Sequence, residues 1–90
     1  MFFDWLFGKK NKKLGKVVHF FDKISVAVIA LGGSLKVGDK IKIERHGESF
    51  EETVGSMQID HQNVDSAGSG QEVAIKISRA TKSGALVYKV

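Results

Sequence analysis

Val37-Gly38-Asp39-Lys40-Ile41-Lys42-Ile43-Glu44-Arg45 decides the fold class. From Lys40 onward, apolar and charged residues alternate one by one. Successive side chains of a strand point to opposite faces, so Ile41 and Ile43 face inward and Lys40, Lys42 and Glu44 face outward. Val37-Gly38-Asp39 reads as the turn into that strand: Gly takes a positive φ and Asp39 bonds nearby backbone amides. His46-Gly47-Glu48 is the next turn.

The same signals recur on both sides. Residues 15–21 form a largely buried strand, and Asp22-Lys23 offers a tight turn. Residues 24–31 are an apolar run, as expected of a strand covered on both faces or closing a small barrel. Gly32-Gly33-Ser34 breaks it. Across residues 50–59 the parity changes, and a one-residue bulge at Gly55-Ser56 puts Phe50, Val54, Met57 and Ile59 on one side. Residues 61–70 read as a polar loop anchored by Val64. Residues 72–78 alternate with Val73, Ile75 and Ile77 inward, and Leu86 to Val90 is a closing strand reached through residues 81–84. Short strands with frequent turns predict an all-β domain. At this size the expectation is a small closed antiparallel β-barrel of about six strands, because closure removes exposed edges.

Ninety residues make one domain with one modest core. There is no cysteine, which excludes disulfides, zinc ribbons and thiol catalysis, and no proline, so Gly, Asn, Asp and Ser supply the turns. The longest apolar run, Val26 to Leu31, is far short of the roughly 20 residues of a membrane helix. The N-terminal charges follow the apolar segment instead of preceding it, unlike a secretory signal. The expected compartment is the cytoplasm. The net charge of +4 is uneven. Residues 1–16 hold five lysines and one acid, whereas residues 17–90 hold nine of each sign. Four of the eight aromatics fall in the first seven residues. Residues 1–13 therefore read as an aromatic, basic N-terminal tail, flexible or docking, and residues 14–90 as the β domain.

Two stretches carry a family resemblance: Ser34 to Ile43, with Lys36-Val37-Gly38-Asp39, and Val64 to Ile77, with Ala67-Gly68 and Val73-Ala74-Ile75. With Met57 in the intervening strand and Gly84 to Val90 at the end, the ordered set resembles the second, β-barrel domain of translational GTPases such as elongation factor Tu. It covers roughly residues 14–90. The set is also similar to the barrel that ends collagenase-like peptidases associated with RNA modification. The resemblance implies a translation-factor-like module set against tRNA or ribosomal RNA. Ser83-Gly84-Ala85 departs from the translational pattern by lacking the acidic residue that usually follows the last Gly. Gly38 and Asp39 match it in structural roles only.

Catalytic chemistry is not visible. No Gly-x-x-x-x-Gly-Lys-Ser/Thr loop occurs. Ala67-Gly68-Ser69-Gly70 feeds a strand, not a helix N-terminus, and so reads as a hairpin turn. His19, His46 and His61 follow no ligand spacing. His46 and His61 read as solvated loop residues and His19 as an outward strand residue. Glu48, Glu51 and Glu52 flank a turn as a solvated edge. The serines have no base at a recognisable spacing. The expectation is a non-enzymatic chain with no cofactor and no metal.

Two binding features remain. Lys36, Lys40, Lys42, Lys76, Arg79, Lys82 and Lys89 form a phosphate-contacting stripe if their strands are neighbours. The alternative is a mixed-charge surface, since the body sums to zero. The tail sets Phe2, Phe3, Trp5, Leu6 and Phe7 beside Lys9, Lys10, Lys12 and Lys13. Such a segment settles on an anionic membrane at about 1 kcal/mol per lysine, docks on a protein, or lends its lysines to RNA. The expected partners are RNA, the ribosome or a translation factor. The alternative is a protein-interaction adaptor tethered to a membrane through residues 1–13. Oligomeric state is not readable.

Overall fold

The computed structural model describes residues 12–90. Ten strands occur in chain order, and the described residues include no helix: β1 (Lys12–Phe21), β2 (Val26–Leu31), β3 (Leu35–Lys36), β4 (Lys40–Arg45), β5 (Glu48–Thr53), β6 (Met57–Ile59), β7 (Gln62–Val64), β8 (Ser66–Ala67), β9 (Glu72–Lys76) and β10 (Leu86–Lys89). Eight form one sheet in the order β5-β4-β10-β1-β2-β9-β6-β7, and β3 pairs with β8. Every pairing is antiparallel.

β4 is the strand its alternation predicts. Ile41 and Ile43 are buried, and the residues between them are not. β9 follows the same rule, with Val73 and Ile75 inward. β1 does not alternate, for a physical reason. Its ladder slips between Lys13 and Gly15 against β10, and again between Val17 and His19 against β2. Each slip inserts one residue, so Leu14, Val17 and Phe20, three apart, all meet the core. Gly15 lies between the slips, where the backbone of β2 passes so closely that an added Cβ would stand 2.2 Å from the Ala30 carbonyl oxygen. No side chain fits there.

The inner face of the sheet gathers one core, built around Val17, Ile29, Leu35, Ile41, Ile43, Met57, Ile75 and Val87, with no buried polar or charged residue among the described ones. Phe50, Ile59 and Val64 pack on its margin.

Four expectations are corrected. First, the sheet is not a closed barrel. Its edges, β5 and β7, do not pair with each other. The segment after β3 lies between them: the Val37 amide donates to the Asp65 carbonyl, and the Gly38 amide to the Val54 carbonyl. Those bonds engage the backbone that closure needs. The Ser78 amide and hydroxyl donate to the Glu52 carboxylate, drawing β5 toward the chain after β9, so the sheet curls without closing. Second, residues 50–59 are not one bulged strand. β5 pairs with β4 while β6 pairs with β7 and β9, and the chain between Thr53 and Met57 only changes partner. The expected side holds, because Val54 and Met57 are buried and Phe50 and Ile59 pack against them. Third, the polar stretch 61–70 contains β7 and β8, strands of three and two residues. Fourth, Ala67 to Gly70 is a turn but not a hairpin, since β8 pairs with β3 and β9 with β2 and β6.

Candidate functional site

The register places Glu51, Lys42, Tyr88 and Lys13 side by side across β5, β4, β10 and β1. Lys42 pairs with Glu51 on one side and Tyr88 on the other, and Tyr88 pairs with Lys13. Cross-strand partners share a face, and Lys42 alternates with buried Ile41 and Ile43, so the row looks outward. The Lys42 ammonium sits over the Tyr88 ring at 5.5 Å from its centroid. That contact holds a cation and an aromatic face together at the surface.

More cations collect at this end. Lys12 pairs with Lys89 at the start of β1 and the end of β10. Lys40 begins β4 and reaches Glu51 at 3.7 Å, with both side chains more than half exposed, so the pair adds little stability. Lys36 lies just before the turn. Asp39 organises it. Its carboxylate accepts the Lys36 amide at 3.0 Å and meets the Lys89 ammonium at 3.3 Å. Burial works to raise the Asp39 carboxyl, but the Lys36 amide and the Lys89 charge outweigh it and hold it below the ordinary range. Gly38, at φ 99, makes the turn. The Val37-Gly38-Asp39 reading thus holds in both roles. Asp39 is structural, and it fixes one ammonium at the basic end.

The remaining predicted cations lie elsewhere. Lys76 ends β9, and β10, β1 and β2 separate it from β4, roughly 19 Å across a flat sheet. Arg79 and Lys82 lie in the connection to β10. With Arg45 they line a shallow groove that also contains Glu48, and the Arg79 guanidinium covers the Phe50 ring at 5.4 Å. The single stripe is therefore divided. Lys12, Lys13, Lys36, Lys40 and Lys42 gather at one end, Arg79 and Lys82 at the other, and Lys76 stands apart.

Sequence reasoning missed Tyr88 and Arg45. Tyr88 carries a readable signal, a polar aromatic between buried Val87 and the chain end, but its neighbours follow only from register. Lys9, Lys10 and the expected docking residues Phe2, Phe3, Trp5, Leu6 and Phe7 lie outside the described residues. His46 and His61 are exposed in turns, and His19 is exposed on β1 with its ring 4.3 Å from that of Phe21. Among the described residues, no group of three or more His, Cys, Asp or Glu converges as a metal-ligand set. No helix among them is long and apolar enough to cross a membrane.

The described residues thus form a curled, helix-free antiparallel sheet with a basic outer row. Comparison with solved structures finds the same fold. The C-terminal domain of a Geobacillus thermoleovorans U32 peptidase superposes with a TM-score of 0.82, covering 88% of this chain and 92% of that one at 17% identity. Its selenomethionine form gives a TM-score of 0.81 over 87% and 99%. At that identity the likeness is one of fold. In sequence, the chain is 42% identical over 77 residues to an uncharacterized protease of Methanocaldococcus jannaschii. That match takes in 84% of this chain but only 19% of the protease. No family model matches. The resemblance to collagenase-like peptidase domains is thus the one these relatives carry, and none of them is a translational GTPase.

Proposed function

We propose that this chain is a non-catalytic β module that binds RNA, tRNA or ribosomal RNA, through the basic end of its sheet. The Lys13–Tyr88–Lys42 row carries the reading. It offers two ammonium groups to phosphates and one aromatic face to a base, and Lys12, Lys36 and Lys40 extend the positive field. Lys9 and Lys10, three and two residues before Lys12 in sequence, are further candidate phosphate contacts. Lys42 lies opposite Glu51 on β5, which Lys40 also reaches, so the row is not uniformly positive. This favours a modest electrostatic contribution from the body and a larger one from the lysines before β1. The module works in the cytoplasm in this reading and uses no cofactor or metal.

Fluorescence anisotropy with labelled tRNA and a ribosomal RNA hairpin tests it. The full chain binds in the micromolar range at low salt, and the log–log salt slope corresponds to roughly four to six released counterions. No binding at low salt ends the proposal.

A second reading, a protein-interaction domain, is favoured by one observation. Phe21 and Ile24 are exposed beside half-buried Val26 and Val28 on the outer face of the sheet.

A further inference from the structure

β2 reads as a strand that needs cover on both faces, and the described residues cover only one. Ala27, Ile29 and Leu31 are buried in the core, while Val26, Val28 and Ala30 look outward. Val28 pairs with Ala74 of β9 on one side and His19 of β1 on the other; Val26 pairs with Phe21. Phe21 and Ile24, both exposed, continue the face past Val26. A solvated sheet ordinarily shows polar side chains here, and contiguous apolar surface of this kind marks an interaction site. Asp60 and Glu72 are the acidic groups along the groove, and no lysine or arginine lines it.

The chain itself contains a segment of matching chemistry, and the slips of β1 bring the face within its reach. Residues 2–7 hold Phe2, Phe3, Trp5, Leu6 and Phe7 with one acid, Asp4. Lys12 lies level with Lys89 of β10, Gly15 with both Val87 and Leu31, and His19 with Val28. Two rises along β10 and three along β2 therefore separate Lys12 from the level of Val28, about 17 Å. Phe2, Phe3 and Trp5 precede Lys12 by ten, nine and seven residues. Their reach is at most ~36, ~32 and ~25 Å. Reversal of the chain uses part of it. Gly8 to Asn11 supplies a four-residue turn, with Gly and Asn as common turn residues, and brings Gly8 back within about 7 Å of Asn11. From there an extended run carries Phe2 about 20 Å along the sheet, level with Val28, and sets Phe3 between Val28 and Ala30. In such a run Phe3 and Trp5 share one side and Asp4 takes the other, which keeps the acid off the face. On the β10 side of β1 the outer face carries Lys42 and Tyr88, so the apolar segment turns toward β2. A second copy competes only at its own concentration, whereas a short tether holds this segment at an effective concentration in the millimolar range.

We propose that residues 2–7 dock on the outer face of their own sheet and cover Val28, Ala30 and Ala74, with residues 8–11 as the turn. Lys9 and Lys10 stay in that turn, beside Lys12 and clear of the groove. The contact uses a different part of the sheet from the Lys13–Tyr88–Lys42 row and does not depend on RNA binding.

Methyl NMR of the full chain beside its Phe2→Ser/Phe3→Ser variant tests this without RNA. Ring currents of the docked aromatics displace the Val28, Ala30 and Ala74 methyl resonances, and the variant returns them while those of buried Ile43 and Val87 stay in place. The displacement is the same at every protein concentration. Trp5 is the single tryptophan, and Val28→Lys moves its emission to longer wavelength. Circular dichroism confirms the fold of Val28→Lys. The Phe2→Ser/Phe3→Ser variant, altered outside the described residues, carries the test alone if Val28→Lys does not fold. Methyl positions common to the full chain and the Phe2→Ser/Phe3→Ser variant overturn the proposal. So does displacement that fades on dilution, which means docking on a second copy. Trp5 emission that shifts to shorter wavelength only when phosphatidylserine vesicles are added means a membrane segment and also overturns it.

Discussion

One outward sheet surface carries two chemistries. On β4 and β10 its positions hold Lys42, Glu44, Leu86 and Tyr88, a mostly polar row ending against Lys13 on β1. On β2 and β9 the equivalent positions hold Val26, Val28, Ala30 and Ala74, between Glu72 at one end and Lys76 at the other. Both regions rest on the same core, so the core does not explain the difference. A charged row suits a solvated, polyanion-facing surface; an apolar face of central strands calls for a cover. β1 is the seam. Its two slips turn Lys13, Lys16, His19 and Phe21 outward in sequence, so one strand passes from the basic half to the apolar half.

The largest predicted effect breaks the seam itself. Gly15→Ala drives a Cβ into the Ala30 carbonyl and costs about 3 kcal/mol or more, read as a collapsed urea midpoint. Both outer regions fail together. Lys13→Glu with Lys42→Glu separates them: RNA affinity falls roughly a hundredfold and the salt slope loses about two counterions, while thermal stability stays near wild type. Asp39→Asn costs about 1 kcal/mol and acts on the basic end alone. Because the folded carboxyl is held below its unfolded value, its contribution is complete above about pH 4. It is lost as pH falls through the depressed folded value. Urea midpoints measured against pH therefore converge for wild type and Asp39→Asn in acid. The smallest effect is a gain. Asp60 and His61 form the two-residue turn between β6 and β7 with φ of 51° and 67°. His61→Gly relieves that backbone and adds about 0.5–1 kcal/mol, measured by thermal melting.

Legibility in the sequence followed the chain's regularity. β4 and β9 were readable because one face is buried and the other is not, which writes period two into Lys40–Arg45 and Glu72–Lys76. β1 was readable as apolar but not in its facing, since two inserted residues replace alternation with a spacing of three. β3, β7 and β8 are too short to leave a pattern, and β7 and β8 are polar as well. Closure was inferred from size and the cost of open edges. Yet the edge is answered locally by the Gly38–Val54 and Val37–Asp65 backbone bonds, which no residue pattern announces. The candidate site shows the sharper limit. Each lysine was visible, but their grouping is a matter of register between strands far apart in the chain: Lys13 and Tyr88 are 75 residues apart, and Lys42 and Tyr88 are 46. Thus Lys76 was placed with Lys42, and Tyr88, which stands between Lys42 and Lys13, was overlooked.

The most direct test is tRNA titration, side by side, of the full chain, the Lys13→Glu/Lys42→Glu double variant and Ile24→Asp over a range of salt. The division of the sheet predicts salt-sensitive binding by the full chain, loss of most of it in the double variant, and no change in Ile24→Asp. Equal weakening in both variants, or no binding by the full chain at low salt, contradicts it.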